Sequence, residues 1–418
     1  MTPALRLPFP LSQATPAQRR TLVAAALGWM LDAFDVMLYA LVLAHIMRDL
    51  GMTKPAAGLL GTLTLLASGI GGVLFGFIAD HIGRTRALML SILTYSLFSF
   101  ASGLATSIVM LAVFRFILGL GMGGEWNTGA TLVAETWPTH LRAKALALVQ
   151  SSWAIGYALA ALVAWVVLRH WNWRAVFFVG VLPALVTLWI RKGVPESEMW
   201  REHKTAAARD PGAAGVSFLE IFSARYARST FALLFLNFFG MFAWWGLFTW
   251  VPAYLQLPVA EGGRGYDASR TTLMLVVLNL AGMWPGYASF GWVADHLGRR
   301  RSFMLYTFLA ALLVPLYAMT RDPWTLLLLG TPVAFFGTGF FSGSGIIGSE
   351  LFPTSVRVRA LGFTYNGART LSSIAPFVIG RVGQQKGLSW AFWLCAVSFF
   401  LATLTATLLP ETKGKQLE

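Results

Sequence analysis

The sequence GFIADHIGRTR at residues 76–86 recurs as GWVADHLGRRR at residues 291–301, and this repeat decides the fold. The aspartates of the two copies, Asp80 and Asp295, are 215 positions apart. Two more pairs of motifs recur at that spacing: residues 135–145 with residues 350–360, and residues 195–196 with residues 410–411. Three coincidences at one spacing indicate that the second half of the chain duplicates the first.

The composition is that of a membrane protein. Of the 418 residues, 56% are hydrophobic and only 12% are charged, and the mean hydropathy is +0.64. Soluble domains carry about 25% charged residues, so most of this surface must face lipid. The single cysteine, Cys395, lies in an apolar run. It excludes an intrachain disulfide and a cysteine-ligated metal site.

Twelve apolar runs reach the length of about 20 residues that a membrane span requires. The sequence therefore predicts an all-α membrane protein with twelve transmembrane helices in two pseudo-symmetric six-helix bundles. The first run contains Asp32 and Asp35 and has no cleavage-like ending, so we interpret it as a retained helix and not as a signal peptide. The predicted spans are 21–44, 55–79, 87–105, 108–136, 143–168, 173–192, 229–256, 271–294, 302–319, 324–349, 357–380 and 388–409. The predicted domains are an N-terminal segment (1–20), a first bundle (21–192), a linker (193–227), a second bundle (228–410) and a tail (411–418).

The basic residues predict the orientation. About 21 of the 32 Lys and Arg fall in segments on the same side as the N-terminus and about nine on the other side, and cytoplasmic loops are the basic ones. We therefore expect both termini in the cytoplasm of a bacterial cell, with the chain in the inner membrane. The net charge of +14 then reflects loops that face anionic lipid, and no nucleic-acid partner is expected.

Five charged residues fall inside predicted spans and away from the span ends, where charge is unfavourable and indicates function. Asp32 and Asp35 are spaced i, i+3 and share one helix face. Arg115 and Glu125 are ten residues apart, about 15 Å along a helix, so they are not a direct pair. Carboxyl groups in a low-dielectric cavity can carry a proton near neutral pH. We therefore assign proton coupling to Asp32, Asp35, Glu125 and Arg115, with a structural hydrogen bond as the alternative for Glu125.

Arg369 falls near the middle of the eleventh predicted span. Arginine stays charged, so it needs an anion there. That anion is either the substrate's carboxylate or a protein acid in a permanent structural pair. Trp244 and Trp245 begin an aromatic cluster that could line a cavity, and Trp250 and Tyr254 end it, where they could form an interfacial belt. The predicted substrate-binding residues are Arg369, Tyr365, Asn366, Asn127, Asn237 and Trp245.

The repeated loop carries the candidate gating residues. Asp80 ends its helix, where the helix dipole disfavours a negative charge, so it needs nearby cations. Arg84, Arg86 and Arg142 are the candidates. An ion network of this kind could hold a gate shut, or it could serve only as a topology anchor. The predicted gating residues are Asp80, Arg84, Arg142, Asp295, Arg299, Glu350 and Arg357.

The loop pattern GxxxDxxGRxR between the second and third spans resembles the signature of the major facilitator superfamily. His81 and His296 stand where that family usually has another basic residue. The resemblance implies two bundles that rock about a substrate site near the membrane midplane, which is alternating access.

A narrower resemblance involves LDAFD at residues 31–35 and the stretches at 121–145 and 171–200. The first is similar to an element of aromatic-acid and sialic-acid symporters, with Ala33 in place of glycine. The stretches resemble the sialate:proton symporter group, which includes sialic acid transporters and lactate and pyruvate permeases. The resemblance implies proton-coupled import of a small carboxylate by a monomer, with the proton gradient as energy source and no cofactor.

Other classes fit less well. The ending LPETKGK at 409–415 resembles sugar porters, but the seventh span lacks their Gln-Gln pair. The fifth span lacks the Gly-Pro element of drug/proton antiporters. We expect no enzyme, since the six histidines are scattered and no phosphate loop or activated nucleophile is visible. A transporter-like sensor is the remaining non-transport alternative.

Overall fold

A computed structural model of the chain describes residues 14–198, 200–201 and 218–414. Within those ranges the side chains at positions 139, 140, 142, 143, 218, 354, 355 and 358 are not described. Parts of the predicted N-terminal segment (1–13), linker (199 and 202–217) and tail (415–418) therefore lie outside the described residues. The predicted domain boundaries stay predictions.

The described residues form twelve helical spans and no strand, as the repeat predicts. Three of the spans are interrupted. The bounds are α1 Pro16–Asp49, α2 Lys54–Ile82, α3 Arg84–Gly103, α4 Ile108–Thr136, α5 Thr139–Leu168, α6 Trp173–Val179 and Ala184–Gly193, α7 Ala227–Gln256, α8 Ala268–Val277 with Leu278–Met283 and Trp284–Leu297, α9 Arg299–Met319, α10 Pro323–Leu351, α11 Thr354–Ser372 and Ala375–Lys386, and α12 Leu388–Ala406.

Prolines explain two of the interruptions, because proline lacks the N–H of the helical ladder and clashes with the preceding turn. Pro183 precedes the second part of α6, and Pro376 lies at the start of the second part of α11. The residues Leu278–Met283 of α8 form a π-helical segment directly before Pro285. Such segments interrupt the regular α-helical hydrogen bonding of the backbone.

Ten of these spans have the length and hydropathy of membrane-crossing helices within the described part of the chain. The two that do not are α3 and α11. α3 buries four serines, and α11 carries Arg357, Arg359 and Arg369. These two helices can be more polar than the others because their buried polar groups face protein and not lipid.

The two halves meet along three seams, where α2 contacts α11, α5 contacts α8 and α1 contacts α7. We call the end that carries the α1–α2 loop the outer end and the opposite end the inner end. At the outer end, a Cβ on Gly58 would collide with the Pro376 carbonyl, so the backbones of α2 and α11 touch. At the inner end, Gly76 of α2 and Gly362 of α11 have no atom within 4 Å of a Cβ position. At these positions the backbones of α2 and α11 are therefore in contact at the outer end and not in contact at the inner end.

Candidate functional site

A central cavity of about 310 Å³ lies between the two halves. Seven of its ten lining residues are aromatic. Eight of the ten are buried, with Trp153 at 3% exposure and Trp245 at 6%, while Phe341 and Tyr365 are partly buried. The lining consists of Trp29, Gln150, Trp153, Met241, Trp244, Trp245, Tyr287, Phe341, Tyr365 and Arg369.

The unpartnered polar groups in this cavity are hydrogen-bond donors. The lining atoms that are buried without a partner among the described residues are Nε1 of Trp29, Nε1 of Trp153 and Nη2 of Arg369. An indole N–H and a guanidinium can donate but cannot accept. Because an unmade buried hydrogen bond is unfavourable, the cavity is suited to a ligand that carries acceptors.

Arg369 brings the positive charge into this cavity. It lies on α11 with 4% of its surface exposed. Asp32 and Glu125 of the opposite half are close enough to interact with it electrostatically. No ion pair joins either acid to Arg369 in the described residues. The guanidinium is thus near anions but is not neutralised by direct contact with them.

The three buried acids have different partners. Asp35 accepts a hydrogen bond of 3.0 Å from Ser99, and both oxygens of Asp32 lack a partner in the described part of the chain. Glu125 packs so closely against Gly28 that a Cβ there would collide with its carboxylate. Each acid is about 1% exposed. All three lie in the first half, on α1 and α4.

Arg115 lies beside a second cavity, of about 290 Å³, on the outer side of the first. Its guanidinium stacks over Tyr39 at 4.9 Å from the ring centroid, and it interacts electrostatically with Asp35 and Asp32. Trp245 lines both cavities. The structure therefore places Arg115 near the predicted proton carriers and also beside a cavity that is separate from the central one.

The six predicted substrate-binding residues separate into two groups. Arg369, Tyr365 and Trp245 line the central cavity. The asparagines do not: Asn237 accepts from Ser344 at 2.6 Å and contacts the backbone of α11, and Asn127 donates to the Gly72 carbonyl at 2.9 Å. The Asn366 carboxamide oxygen faces the same part of α2. The amides of Asn237 and Asn127 hold helices together because they find backbone and hydroxyl partners there.

The expected interfacial belt at the end of α7 is wrong. Trp250 and Tyr254 are fully buried, with no exposed ring. The Trp250 indole donates to the Pro376 carbonyl at 2.9 Å, and the Tyr254 hydroxyl donates to the Ala318 carbonyl at 2.9 Å. These aromatic residues join α7 to neighbouring helices and are not at the lipid headgroups.

Several lining residues were not identified from the sequence. The predicted substrate-binding residues did not include Trp29, Gln150, Trp153, Tyr287 or Phe341. Their contribution depends on contacts between distant helices: Trp153 meets Trp244 and Trp245 across the seam between the halves, at 5.9 and 5.8 Å.

Five of the predicted gating residues lie in two clusters, one at the inner end of each half. In the first half, Arg84 pairs with Asp80 at 2.6 Å and with Glu135 at 3.3 Å. Glu196 accepts hydrogen bonds from the backbone N–H groups of Arg84 and Thr85. The cluster thus joins α2, α3, α4 and the segment after α6. Arg86 is exposed, and the side chain of Arg142 lies outside the described residues.

The second half repeats the cluster. Arg299 pairs with Asp295 at 2.6 Å and with Glu350 at 2.9 Å, and Glu411 accepts from the Arg299 backbone N–H at 2.7 Å. Arg357 donates to the Phe352 carbonyl at 3.0 Å. Each of these ion pairs and hydrogen bonds joins residues of the same half, and a gating role stays a prediction.

Glu196 and Glu411 were not among the predicted site residues, although the 215-residue repeat includes both. Each follows the sixth span of its half and covers the start of the third. Gly83 and Gly298 allow these starts, because their φ values of +102° and +100° favour glycine. Motif repetition was thus the signal that could have found the two glutamates.

The outer end is closed by contacts between the halves. The ammonium of Lys54 donates to the Glu261 carbonyl at 2.8 Å, and its backbone N–H donates to Gln384 at 3.3 Å. The Gln256 amide donates to the Leu41 carbonyl at 3.4 Å. Substrate from the outer side must therefore separate these contacts before it reaches either cavity.

The family model described as Major Facilitator Superfamily matches residues 25–283 and 257–417. The chain belongs to the major facilitator superfamily. It is 34% identical over 412 residues to a protein of Cupriavidus pinatubonensis named as a probable 4-methylmuconolactone transporter, covering 97% of this chain and 93% of that protein. It is also 34% identical over 395 residues to the sialic acid transporter NanX of Escherichia coli, with 93% of each chain covered.

Solved structures show the same fold. The crystal structure of a D-xylose-proton symporter superposes with a TM-score of 0.78 over 96% of this chain and 100% of that one, at 20% sequence identity. At this identity the likeness concerns the fold alone. This major facilitator protein is therefore a multi-pass membrane transporter and not an enzyme.

Proposed function

We propose that this transporter imports a small organic carboxylate together with protons, by alternating access across a bacterial inner membrane with both termini in the cytoplasm. The observation that carries the proposal is the set of unpartnered donors in the central cavity, which are two indole N–H groups and the Arg369 guanidinium. A carboxylate is acceptor-only and negatively charged, so it complements this set in both respects.

The count of buried charges supports proton coupling. Among the described residues, the buried charged side chains at the centre are three acids and two arginines, and Lys54 lies apart at the outer end. The group is neutral when one acid is protonated. A carboxylate that enters this low-dielectric region adds one negative charge, so neutrality then requires one more proton. We therefore propose one proton for each monocarboxylate carried.

Asp32 is the acid best placed to take that proton. It interacts with both arginines, and both of its oxygens lack hydrogen-bond partners among the described residues. When the substrate's carboxylate occupies Arg369, Asp32 loses part of the attraction that favours its charged form. Proton uptake by Asp32 and carboxylate binding by Arg369 therefore favour each other.

The cavity wall favours an acid with an apolar or aromatic body. Among lactate, pyruvate, sialic acid and aromatic acids, the last present a flat ring to the indoles of Trp153 and Trp245, which pack edge to face with ring centroids 5.8 Å apart. The names of the relatives, a 4-methylmuconolactone transporter and a sialic acid transporter, also support an organic acid. A sugar fits less well because its hydroxyls need acceptors as well as donors.

The test is uptake of labelled lactate, pyruvate, sialic acid and benzoate into proteoliposomes with an imposed inward proton gradient. We expect accumulation of at least one acid, with benzoate favoured, and collapse of that accumulation by a protonophore. Arg174→Gln is the matched control, since Arg174 pairs with Asp49 at 2.7 Å at the outer end, away from both cavities.

Gradient-independent uptake of every acid would contradict proton coupling while leaving carboxylate transport intact. Absence of uptake of all four acids, with a protein that is correctly inserted, would contradict the carboxylate itself. In that case the sugar, efflux and sensor alternatives would be tested by the same assay with xylose, by reversed gradients and by ligand binding without flux.

A further inference from the structure

The outer cavity is a built space and not a packing defect at the surface. It is lined by the second half of α1, the first half of α2, Arg115 of α4, and Trp245 and Thr249 of α7. Its lining residues belong to both halves of the molecule. The closed contacts of the outer end lie beyond it, since Gly61 lines the cavity and also packs against Pro376.

Arg115 is the charged group of this cavity. It is 1% exposed, and its Nε and Nη1 have no hydrogen-bond partner within the described ranges. Oδ1 of Asp35 accepts from Ser99 while its Oδ2 has no partner, and no ion pair connects Arg115 with Asp32 or Asp35 in the part of the chain described. The Tyr39 ring covers one face of the guanidinium but gives no hydrogen-bond acceptor to the N–H groups at its edge.

A buried guanidinium with two nitrogens that lack hydrogen-bond partners is suited to an anion with acceptor oxygens, and a carboxylate offers charge-assisted hydrogen bonds to it. The hydroxyl-bearing side chains of Thr64 and Thr249 also line the space. The Thr64 hydroxyl donates to the Leu60 carbonyl at 3.0 Å, so its oxygen can still accept. The guanidinium gives this cavity the same donor character as the central one.

We propose that the outer cavity is a second carboxylate-binding subsite, in which Arg115 binds a carboxylate separately from Arg369. This inference rests on the proposed function. Val36 of the outer cavity is seven residues from Trp29 of the central cavity on α1, about 10 Å along the helix. The carboxylate at Arg115 comes either from the far end of one dicarboxylate that spans both cavities or from a monocarboxylate on its way inwards.

Trp245 separates the two subsites, because it lines both. Asp32 interacts electrostatically with both arginines. A carboxylate at either position therefore acts on the same acid. A dicarboxylate that occupies both positions needs two protons instead of one for the group to stay neutral.

The first experiment measures the charge of the outer cavity without needing the transported substrate. Thr249→Cys is made together with Cys395→Ala, which removes the single native cysteine. Its reaction with an anionic sulfonate methanethiosulfonate is compared with that of a cationic trimethylammonium one, added from outside. We expect at least tenfold preference for the anionic reagent, reversed by Arg115→Gln because Asp32 and Asp35 remain.

Equal reaction with both reagents, or a preference that Arg115→Gln leaves unchanged, would overturn the proposal. Arg115→Lys, which keeps the charge, is expected to retain the preference, and this separates loss of charge from loss of folding. Arg369→Gln is the matched buried-arginine control and is expected to leave the preference at position 249 within about twofold, because it belongs to the other cavity.

The second experiment distinguishes the two sources of the carboxylate. Terephthalate and benzoate, which differ by one carboxylate, are used to protect position 249 and to compete for uptake. If one dicarboxylate spans both cavities, Arg115→Gln weakens the protection of position 249 by terephthalate at least tenfold more than it weakens the protection by benzoate. If a monocarboxylate passes through, Arg115→Gln slows benzoate entry as well.

Unchanged behaviour of both acids in Arg115→Gln, with only the pH dependence altered, would leave Arg115 a proton-coupling residue and overturn the subsite. Failure of the proposed function appears differently. In that case the wild-type protein takes up none of the acids, while the charge preference at position 249 still reports whether the outer cavity attracts an anion.

Discussion

The two halves of this transporter are alike at their inner ends and unlike at their centres. At the inner ends the same four positions repeat, with an arginine between two acids and a glutamate at the start of the third span of each half. At the centre, the first half buries Asp32, Asp35, Arg115 and Glu125, and the second half buries Arg369 among aromatic rings.

The difference shows that duplication preserved the framework while the two centres diverged. The clusters at the inner ends hold helices of one half together, a need that both halves share. The two centres have different functions: we propose that the first half exchanges protons and that the second half binds the carboxylate. Rocking of one half against the other then changes the distance between proton carriers and anchor, which would link the two events.

The largest expected effect tests the proton side of this division. Asp32→Asn keeps the shape of the side chain, but it can no longer gain or lose a proton. We expect accumulation driven by a proton gradient to be abolished while exchange of labelled for unlabelled acid across the membrane continues. Both are measured in the same proteoliposomes.

If Asp32→Asn instead accumulates acid normally, another acid carries the proton, and Asp35→Asn and Glu125→Gln are the next variants. Loss of exchange together with accumulation would place Asp32 in substrate binding and would break the proposed division between the halves.

The next effect tests the anchor in the second half. Arg369→Gln is expected to weaken acid binding about 100-fold, since loss of a buried charge-assisted contact is worth about 3 kcal/mol. Arg369→Lys keeps the charge but not the paired donors, so a smaller loss is expected. Affinity is measured by competition binding, with insertion checked by gel filtration. An affinity within twofold of wild type would remove Arg369 from the site.

A smaller effect concerns the aromatic wall. Trp153 belongs to the first half but faces Trp244 and Trp245 of the second. A substrate whose body lies against Trp153 therefore contacts both halves. Trp153→Leu is expected to weaken benzoate about tenfold, or about 1.4 kcal/mol, and to weaken lactate less. Equal losses for the two acids would show that the ring of Trp153 does not recognise the body of the ligand.

The smallest effect compares the repeated clusters directly. Glu196 accepts from two backbone N–H groups at the start of α3, and Glu411 accepts from one at the start of α9. Each alanine variant should lower the free energy of unfolding by about 1 kcal/mol, with the larger loss for Glu196→Ala. Thermal unfolding in detergent measures both. A larger loss for Glu411→Ala would show that the clusters are not equivalent supports.

Sequence patterns found the fold because they are local or repeated. Apolar runs of sufficient length give spans, and motif repetition gives two halves. The repeat also contained Glu196 and Glu411, whose pairing with the start of the third span of each half could have been inferred from it. Arg369 was identifiable as a site residue because a charge inside a span is rare and unfavourable.

The rest of the site could not be predicted in this way. Asn237 and Trp245 lie eight residues apart on α7, and both are polar or amphipathic residues in an apolar run. Asn237 bonds to Ser344 between α7 and α10, whereas Trp245 faces both cavities. Which of them meets a ligand depends on how neighbouring helices are rotated, and the hydrophobic pattern is too uniform around each helix to reveal that.

The sequence by itself determined the number of spans, the duplication, the family and the few charges that membrane burial makes conspicuous, because each of these is written in local composition or in a fixed spacing. Only the tertiary structure decided which donors are left unpartnered, that Arg115 and Arg369 lie in separate cavities, and that the halves are closed at the outer end. These properties arise where helices distant in the chain meet. The packing between such helices depends on the shapes of side chains from several spans together, which the sequence of one span does not specify.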